Sequence, residues 1–210
     1  MHRMFLNLSR FSVIEQLYLF RKLLQHFLFS MLGMLIFVAL MQSAIAGAPG
    51  RFEIIDADFR VDEGIWVADV RAGLELSEEA LQALDNGVAL SIQYQFKVVR
   101  QRSFWTDKVI VEPKQNIQLQ YLSLSRRYLV QNLNTGEQLS YATLFSALRQ
   151  IGQIQDFPIM AAADIDQDAK HYFSTRVVLN REKLPGPLQV LVFWRGDFSL
   201  DSEWYRWTLK

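Results

Sequence analysis

Asp164, Asp166 and Asp168 stand at alternate positions, and His171 follows three residues later. No other group in the chain comes closer to a reactive centre by type and spacing. Carboxylates so spaced can turn their oxygens toward a hard cation such as calcium. A calcium loop of the EF-hand kind would need glycine at its sixth position and glutamate at its twelfth, where this chain has Ala169 and Thr175. His171 is the only histidine after residue 46, and an imidazole beside carboxylates can act as a general base or a mixed metal ligand. Metal-assisted hydrolysis through Asp164, Asp166, Asp168 and His171 is therefore the enzymatic reading. The plainer reading is a solvated acidic loop followed by a capped or solvated histidine at a strand start, and with it no metal or cofactor is expected. There is no G-x-S-x-G elbow, no H-E-x-x-H and no glycine-rich phosphate loop. A serine–histidine–aspartate set stays open, because triads are spatial rather than local. Glu53, Asp56, Asp58, Asp62 and Glu63 offer carboxylates for glycoside hydrolysis, but nothing selects a pair, and Asp62-Glu63-Gly64 reads as a hairpin turn.

The aromatic and arginine residues form the second candidate. Arg100, Arg102, Phe104 and Trp105 gather at one strand end, and Trp204, Tyr205, Arg206 and Trp207 gather near the C-terminus. Tryptophan, tyrosine and arginine are enriched where binding energy concentrates, and arginine stacks on aromatic faces. Alternation over 203–209 sends Trp204 and Arg206 to one face and Tyr205 and Trp207 to the other. The candidate binding residues are thus Arg102, Trp105, Trp204 and Arg206, set against the alternative that tryptophan simply fills a core.

Composition narrows the chemistry further. The chain has no cysteine, which removes disulfides, thiolate catalysis and cysteine-ligated metals. Its 22 basic and 22 acidic residues cancel, so nucleic acid is not the expected ligand.

The elements that must position these residues are mostly strands. Val88, Leu90, Ile92, Tyr94, Phe96 and Val98 alternate with Ala89, Ser91, Gln93, Gln95 and Lys97. That period of two marks a half-buried antiparallel strand. Phe173, Thr175, Val177 and Leu179 repeat the pattern, as do Ile117, Leu119 and Tyr121. Residues 52–59, 65–72, 126–132, 137–141, 188–195 and 203–209 read as further strands, with 188–195 apolar on both faces like a central strand. Two short helices interrupt. One follows Ser77 and stops before Gly87; the other covers about 141–151, with Leu144, Phe145, Leu148 and Ile151 on its apolar side. Leu184-Pro185-Gly186-Pro187 fits a type II turn, and Asn134-Thr135-Gly136-Glu137 a hairpin loop. About eight strands without strand–helix alternation predict a mostly β fold, an antiparallel β-sandwich with two short helices.

An N-terminal segment precedes this domain. Residues 27–41 carry no charge, Arg21 and Lys22 lie before them, and Ala44-Ile45-Ala46 follows. A positive flank, a short apolar core and an A-x-A site make a secretory signal, cut between Ala46 and Gly47. The core falls short of the roughly 20 apolar residues of a membrane span, while a tilted, uncleaved anchor is the alternative. The stretch before Phe27 is long for a signal. Either translation starts downstream of Met1, or Phe11 to Leu24 forms an amphipathic helix on the inner membrane face. Residues 1–46 form the signal or anchor, and 47–210 a single periplasmic domain. That domain holds 18 basic and 21 acidic residues, an ordinary soluble surface.

The assembled pattern resembles a family, the proteobacterial exported proteins grouped as domain of unknown function 4390. The resemblance rests on Gly87-Val88 leading into a long strand, on Arg102 with Phe104-Trp105, on Leu119-Gln120-Tyr121 and on Arg127-Tyr128. Phe145 to Gly152, Tyr172 to Leu179, Leu184-Pro185 with Pro187-Leu188, and Ser202-Glu203-Trp204 with Trp207 complete it. It spans nearly all of residues 52–208 and implies an envelope location, no established activity and no catalytic residues. It also implies a neighbourhood with a membrane sensor kinase of the nitrogen-regulation type. The expectation is a non-enzymatic periplasmic module for a protein partner in the cell envelope, with membrane contact through residues 27–41 if these are retained. The alternatives are the hydrolase above and a small-ligand or glycan binder built on the aromatic–arginine clusters. Mass spectrometry of the envelope protein is expected to find Gly47 as its first residue; an intact terminus containing Phe27 to Met41 would show an anchored chain instead.

Overall fold

A computed structural model describes residues 21, 22, 24, 26–28, 30–34, 50–166, 168–180 and 200–208. The chain divides into two units, Met1–Ala46 and Gly47–Lys210. In the first, the described residues between 21 and 34 are helical and exposed, and among the described residues no helix is long and apolar enough to cross a membrane. The signal core beyond residue 34, the A-x-A site, the 188–195 strand, Trp194 and the Leu184–Pro187 turn lie outside the described residues.

The second unit is mostly β, with two antiparallel sheets packed as a sandwich. Strands β1 (Arg51–Asp62), β2 (Ile65–Glu75) and β8 (Gln153–Ala161) form one sheet in the order β1-β2-β8. The larger sheet holds β3 (Leu90–Arg100), β4 (Lys108–Val111), β5 (Lys114–Leu122), β6 (Arg127–Asn132), β7 (Gln138–Tyr141), β9 (His171–Asn180) and β10 (Tyr205–Thr208). Its order is β10-β9-β3-β5-β6-β7, with β4 pairing the end of β3. The described residues thus hold ten strands, against the eight or so expected.

Local chemistry accounts for the joints. Glu63 and Gly64 both take positive φ, 46° and 81°, between Asp62 and its partner Ile65. Two left-handed residues in a two-residue loop match the twist of a hairpin. In β1 the pairing jumps from Ile54–Ala72 to Asp56–Arg71, so Ile55 is a bulge and points outward, 61% exposed. Inward alternation then resumes through Ala57 and Phe59.

Strands β3 and β9 form the spine. Leu90, Ile92, Tyr94, Phe96 and Val98 are completely buried, as are Phe173, Thr175 and Val177. Each such large apolar side chain contributes about 1.5 to 3 kcal/mol by leaving water. Ser91, Gln93, Tyr172, Ser174 and Val178 on the opposite faces are buried as well, so these strands are covered on both sides rather than half-buried.

Both helices start at side-chain caps. Ser77 Oγ accepts from the Ala80 N–H at 3.3 Å, and Glu78 and Glu79 occupy the positive end of α1 (Glu78–Asp85). Gly87 follows with φ 81°. Thr143 Oγ1 accepts from the Ser146 N–H at 3.2 Å to open α2 (Leu144–Ile151). The expected start near 141 is therefore corrected, since Tyr141 ends β7 and pairs with Tyr128. Phe145, placed on the apolar side by sequence, is 73% exposed, and Ala147 and Ile151 are the buried positions. Gly152 ends α2 against β2, where the Ala72 N–H donates to its carbonyl at 2.8 Å; a Cβ there would lie 2.4 Å from Ala72 O.

Tyr94 joins β3 to that helix end, its hydroxyl donating to the Ile151 carbonyl at 2.9 Å. Burial pushes its phenol far above the ordinary tyrosine range. Because the folded form holds the proton more tightly, this contribution is complete below about pH 10, where unfolded tyrosine is still neutral, and is lost as pH rises further. Tyr94→Phe is expected to cost about 1 to 2 kcal/mol at neutral pH and to flatten the alkaline fall in stability. Urea unfolding over an alkaline pH series measures both.

Candidate functional site

The loop 101–107 joins β3 to β4 and is fastened at its base. The Gln101 N–H donates to Lys170 O at 2.8 Å. Asp107 holds both sides: Oδ1 accepts from the Arg102 N–H at 3.3 Å, and Oδ2 accepts from the Tyr172 hydroxyl at 3.4 Å. With the base closed, the tip projects. Phe104 is 95% and Trp105 80% exposed. Beneath them lies an open depression of about 900 Å³, lined by Arg100, Arg102, Trp105, Asp168 and Lys170 among others. Two adjacent aromatic rings in water beside arginine are no part of a core and have the composition of residues that carry binding energy.

Tyr172 links this tip to the C-terminal cluster. The Arg206 guanidinium lies 4.9 Å from its ring centre. One step along, the Trp204 ring has Lys97 Nζ 4.4 Å and Arg176 Cζ 4.7 Å from its centre. Arg206, Tyr172, Asp107 and Arg102 thus form one chain of contacts on the outer face of the large sheet, with Trp204 beside it. The alternation expected over 203–209 holds, for Trp207 turns inward onto Phe59 and Phe173. Trp204 itself is only partly exposed, held between two cations.

The cations are themselves fixed. Arg176 Nε donates to Gln95 Oε1 at 2.9 Å, Gln95 to Gln93 Oε1 at 2.7 Å, and Gln93 to Asn116 Oδ1 at 2.8 Å. Lys97 pairs with Glu112 at 3.4 Å. This ladder explains how Gln93 and Gln95 on the outer face of β3 can be covered, since each amide donor finds an acceptor. The buried Ser91 hydroxyl on the same face has no partner among the described residues.

The acidic candidates are arranged differently. Asp166 pairs with Arg100 at 2.9 Å and accepts from the Asp168 N–H at 3.1 Å, while Asp164 ends a short 3₁₀ turn. Among the described residues, no three histidine, aspartate or glutamate side chains are grouped to hold a metal. His171 shares the inward face of Phe173 and is only 4% exposed, which corrects the expected solvated strand end. Among the described residues, its Nε2 has no hydrogen-bond partner. Of the acidic candidates in the first hairpin, Glu53 pairs with Arg51 at 2.6 Å and Asp56 with Arg71 at 2.9 Å, while Arg60 pairs with Asp69 of β2 and Asp156 of β8.

Residues 50–208 match the family model described as a domain of unknown function, DUF4390. The chain belongs to that family. No curated protein and no solved structure matches it. The DUF4390 region covers the whole sandwich, both helices and both aromatic–arginine clusters.

The Tyr172–Asp107 link escaped the sequence, because 65 residues separate its partners. The cation–π pairs around Trp204 contribute about 0.5 to 1 kcal/mol each at a partly exposed position. Trp204→Ala is therefore expected to lower stability by about 1 to 2 kcal/mol, while Trp105→Ala leaves it within about 0.5 kcal/mol. Urea midpoints of the two variants distinguish a structural tryptophan from a displayed one.

Proposed function

We propose that this DUF4390 chain is an exported, non-enzymatic binding module that docks a protein partner of the cell envelope. Its localisation under this proposal is the periplasm, either free after cleavage between Ala46 and Gly47 or held at the inner membrane through residues 27–41. The observation that carries it is the pair Phe104 and Trp105, displayed at a loop tip whose base is clamped by Asp107. A rigid base matters, because a preordered tip loses less conformational freedom on binding. Arg102 stands beside the rings, and Arg206 lies on the same contact chain. The partner class favoured by the family resemblance is the exported segment of a membrane sensor.

The metal-hydrolase reading fits less well. Asp166 is committed to Arg100, and His171 faces the core.

Envelope cross-linking followed by affinity capture tests the reading. Wild-type protein is expected to capture a defined partner. Trp105→Ala and Arg102→Ala are expected to weaken that capture by about thirtyfold, equivalent to about 2 kcal/mol, with unfolding midpoints unchanged. Asp164→Ala and Asp168→Ala are expected to capture as wild type does. Normal capture by Trp105→Ala, with loss of the cellular phenotype in the aspartate variants, would overturn the docking role in favour of the enzyme.

A further inference from the structure

A second concave site shares no residue with the depression under Trp105. It encloses about 350 Å³ where the end of α2 and the start of β8 face β5, β6 and β7. Its apolar wall includes Ile117, Ile151 and Ile154, all buried. Over this wall stand four glutamines, Gln115, Gln150, Gln153 and Gln155.

These amides differ from those on the outer face. Gln93 and Gln95 are tied into the hydrogen-bonded ladder, whereas among the described residues none of the four cleft glutamines makes a side-chain hydrogen bond. Gln115 is the informative one. It lies on the inward face of β5 in register with Ile117 and Leu119, and only 9% of it is exposed. A core face at that position would accept leucine; the amide instead opens into the cleft, because its polar atoms are not among the buried unpartnered ones. It is held where only the contents of the cleft can satisfy it.

Charge selects the ligand. Among the described residues, Glu137 is the only charged one lining the cleft, and it has no ion pair. The backbone holds it at the wall, because the Asn132 N–H donates to Glu137 O at 2.9 Å and Asn132 pairs with Ile117 across β5 and β6. An anion would meet that carboxylate. A sugar ring would find no aromatic face among the described residues that line the site. An aliphatic wall, amide acceptors and one carboxylate suit a short hydrocarbon stem ending in a cationic donor.

We infer that this cleft binds a small organic cation, a primary amine or guanidinium on an aliphatic stem, with its head on Glu137 and Gln115 and its stem on Ile117, Ile151 and Ile154.

Calorimetric titration of the full chain with agmatine and with putrescine tests this, with glucose and succinate as neutral and anionic comparators. The expected result is saturable one-to-one binding of at least one cation and none of glucose or succinate. Glu137→Gln is expected to weaken that binding at least about tenfold with an unchanged unfolding midpoint. Gln115→Leu is expected to weaken binding at least about tenfold with the unfolding midpoint retained, since it removes the amide that meets the cation and keeps the buried stem. The inference is overturned if neither cation binds up to about 10 mM, a range that covers even weak sites. It is also overturned if Glu137→Gln or Gln115→Leu binds as wild type does, or if glucose or succinate binds in place of the cations.

Discussion

Phe173 holds the two sheets together. Its ring stacks on Phe59 of β1 at 4.8 Å and lies 5.0 Å from Trp66 of β2 and 6.0 Å from Trp207 of β10. Phe96 of β3 repeats the contact by stacking on Phe157 of β8 at 4.6 Å. Every strand of the small sheet therefore places one aromatic ring against the spine of the large one. A three-stranded sheet offers little stability alone, and rings of this size bury enough area to fix both its position and its angle. The closed hairpin, the bulge at Ile55 and the register of β8 all serve to deliver Phe59, Trp66 and Phe157 to that seam.

The seam also sets what the other surfaces can do. With the inward face of β9 given to packing, its outward face is left to carry Tyr172 and Arg176, and these order the aromatic–arginine stripe. Tyr172 stands at the junction, with Arg206 over its ring and Asp107 on its hydroxyl. The loop base is thereby fixed from the sheet, and the two rings at its tip are left in water. His171 belongs to the inward series with Phe173, which separates it from solvent chemistry. One parity choice along β9 thus decides both the displayed surface and the withdrawn histidine.

Much of this was legible in the chain. Alternation located β3, β5 and β9, because their inward positions are apolar while their outer positions, even where covered, are mostly polar, which keeps a period of two over many residues. Ser77 and Gly87 marked α1, because helix ends require a side-chain acceptor and then a left-handed residue. Strand β8 was not legible. Its inward residues fall at Ile154, Phe157 and Ile159, since Asp156 takes a positive φ of 51° and the pairing slips between Ala68 and Val70. Asp69 accepts from the Asp156 N–H at 2.8 Å to hold that irregularity, and Pro158 adds a second break in the pattern. A bulge shifts the phase of the alternation, so the periodic signal cancels although the strand is real.

The sequence by itself determined the class of fold, the absence of cysteine chemistry, the short helices and the two places where arginine and aromatic residues gather. These follow from composition and local spacing, which are properties of a segment. Only the tertiary structure decided that Trp105 is displayed while Trp204 is clasped by Lys97 and Arg176, that Asp166 belongs to Arg100, and that Gln115 faces a cleft. Each of these depends on which side chain a distant strand brings near. The residues joined by Tyr172 and Asp107, or by Tyr94 and Ile151, are 65 and 57 positions apart, and no local pattern encodes a pairing across such a distance.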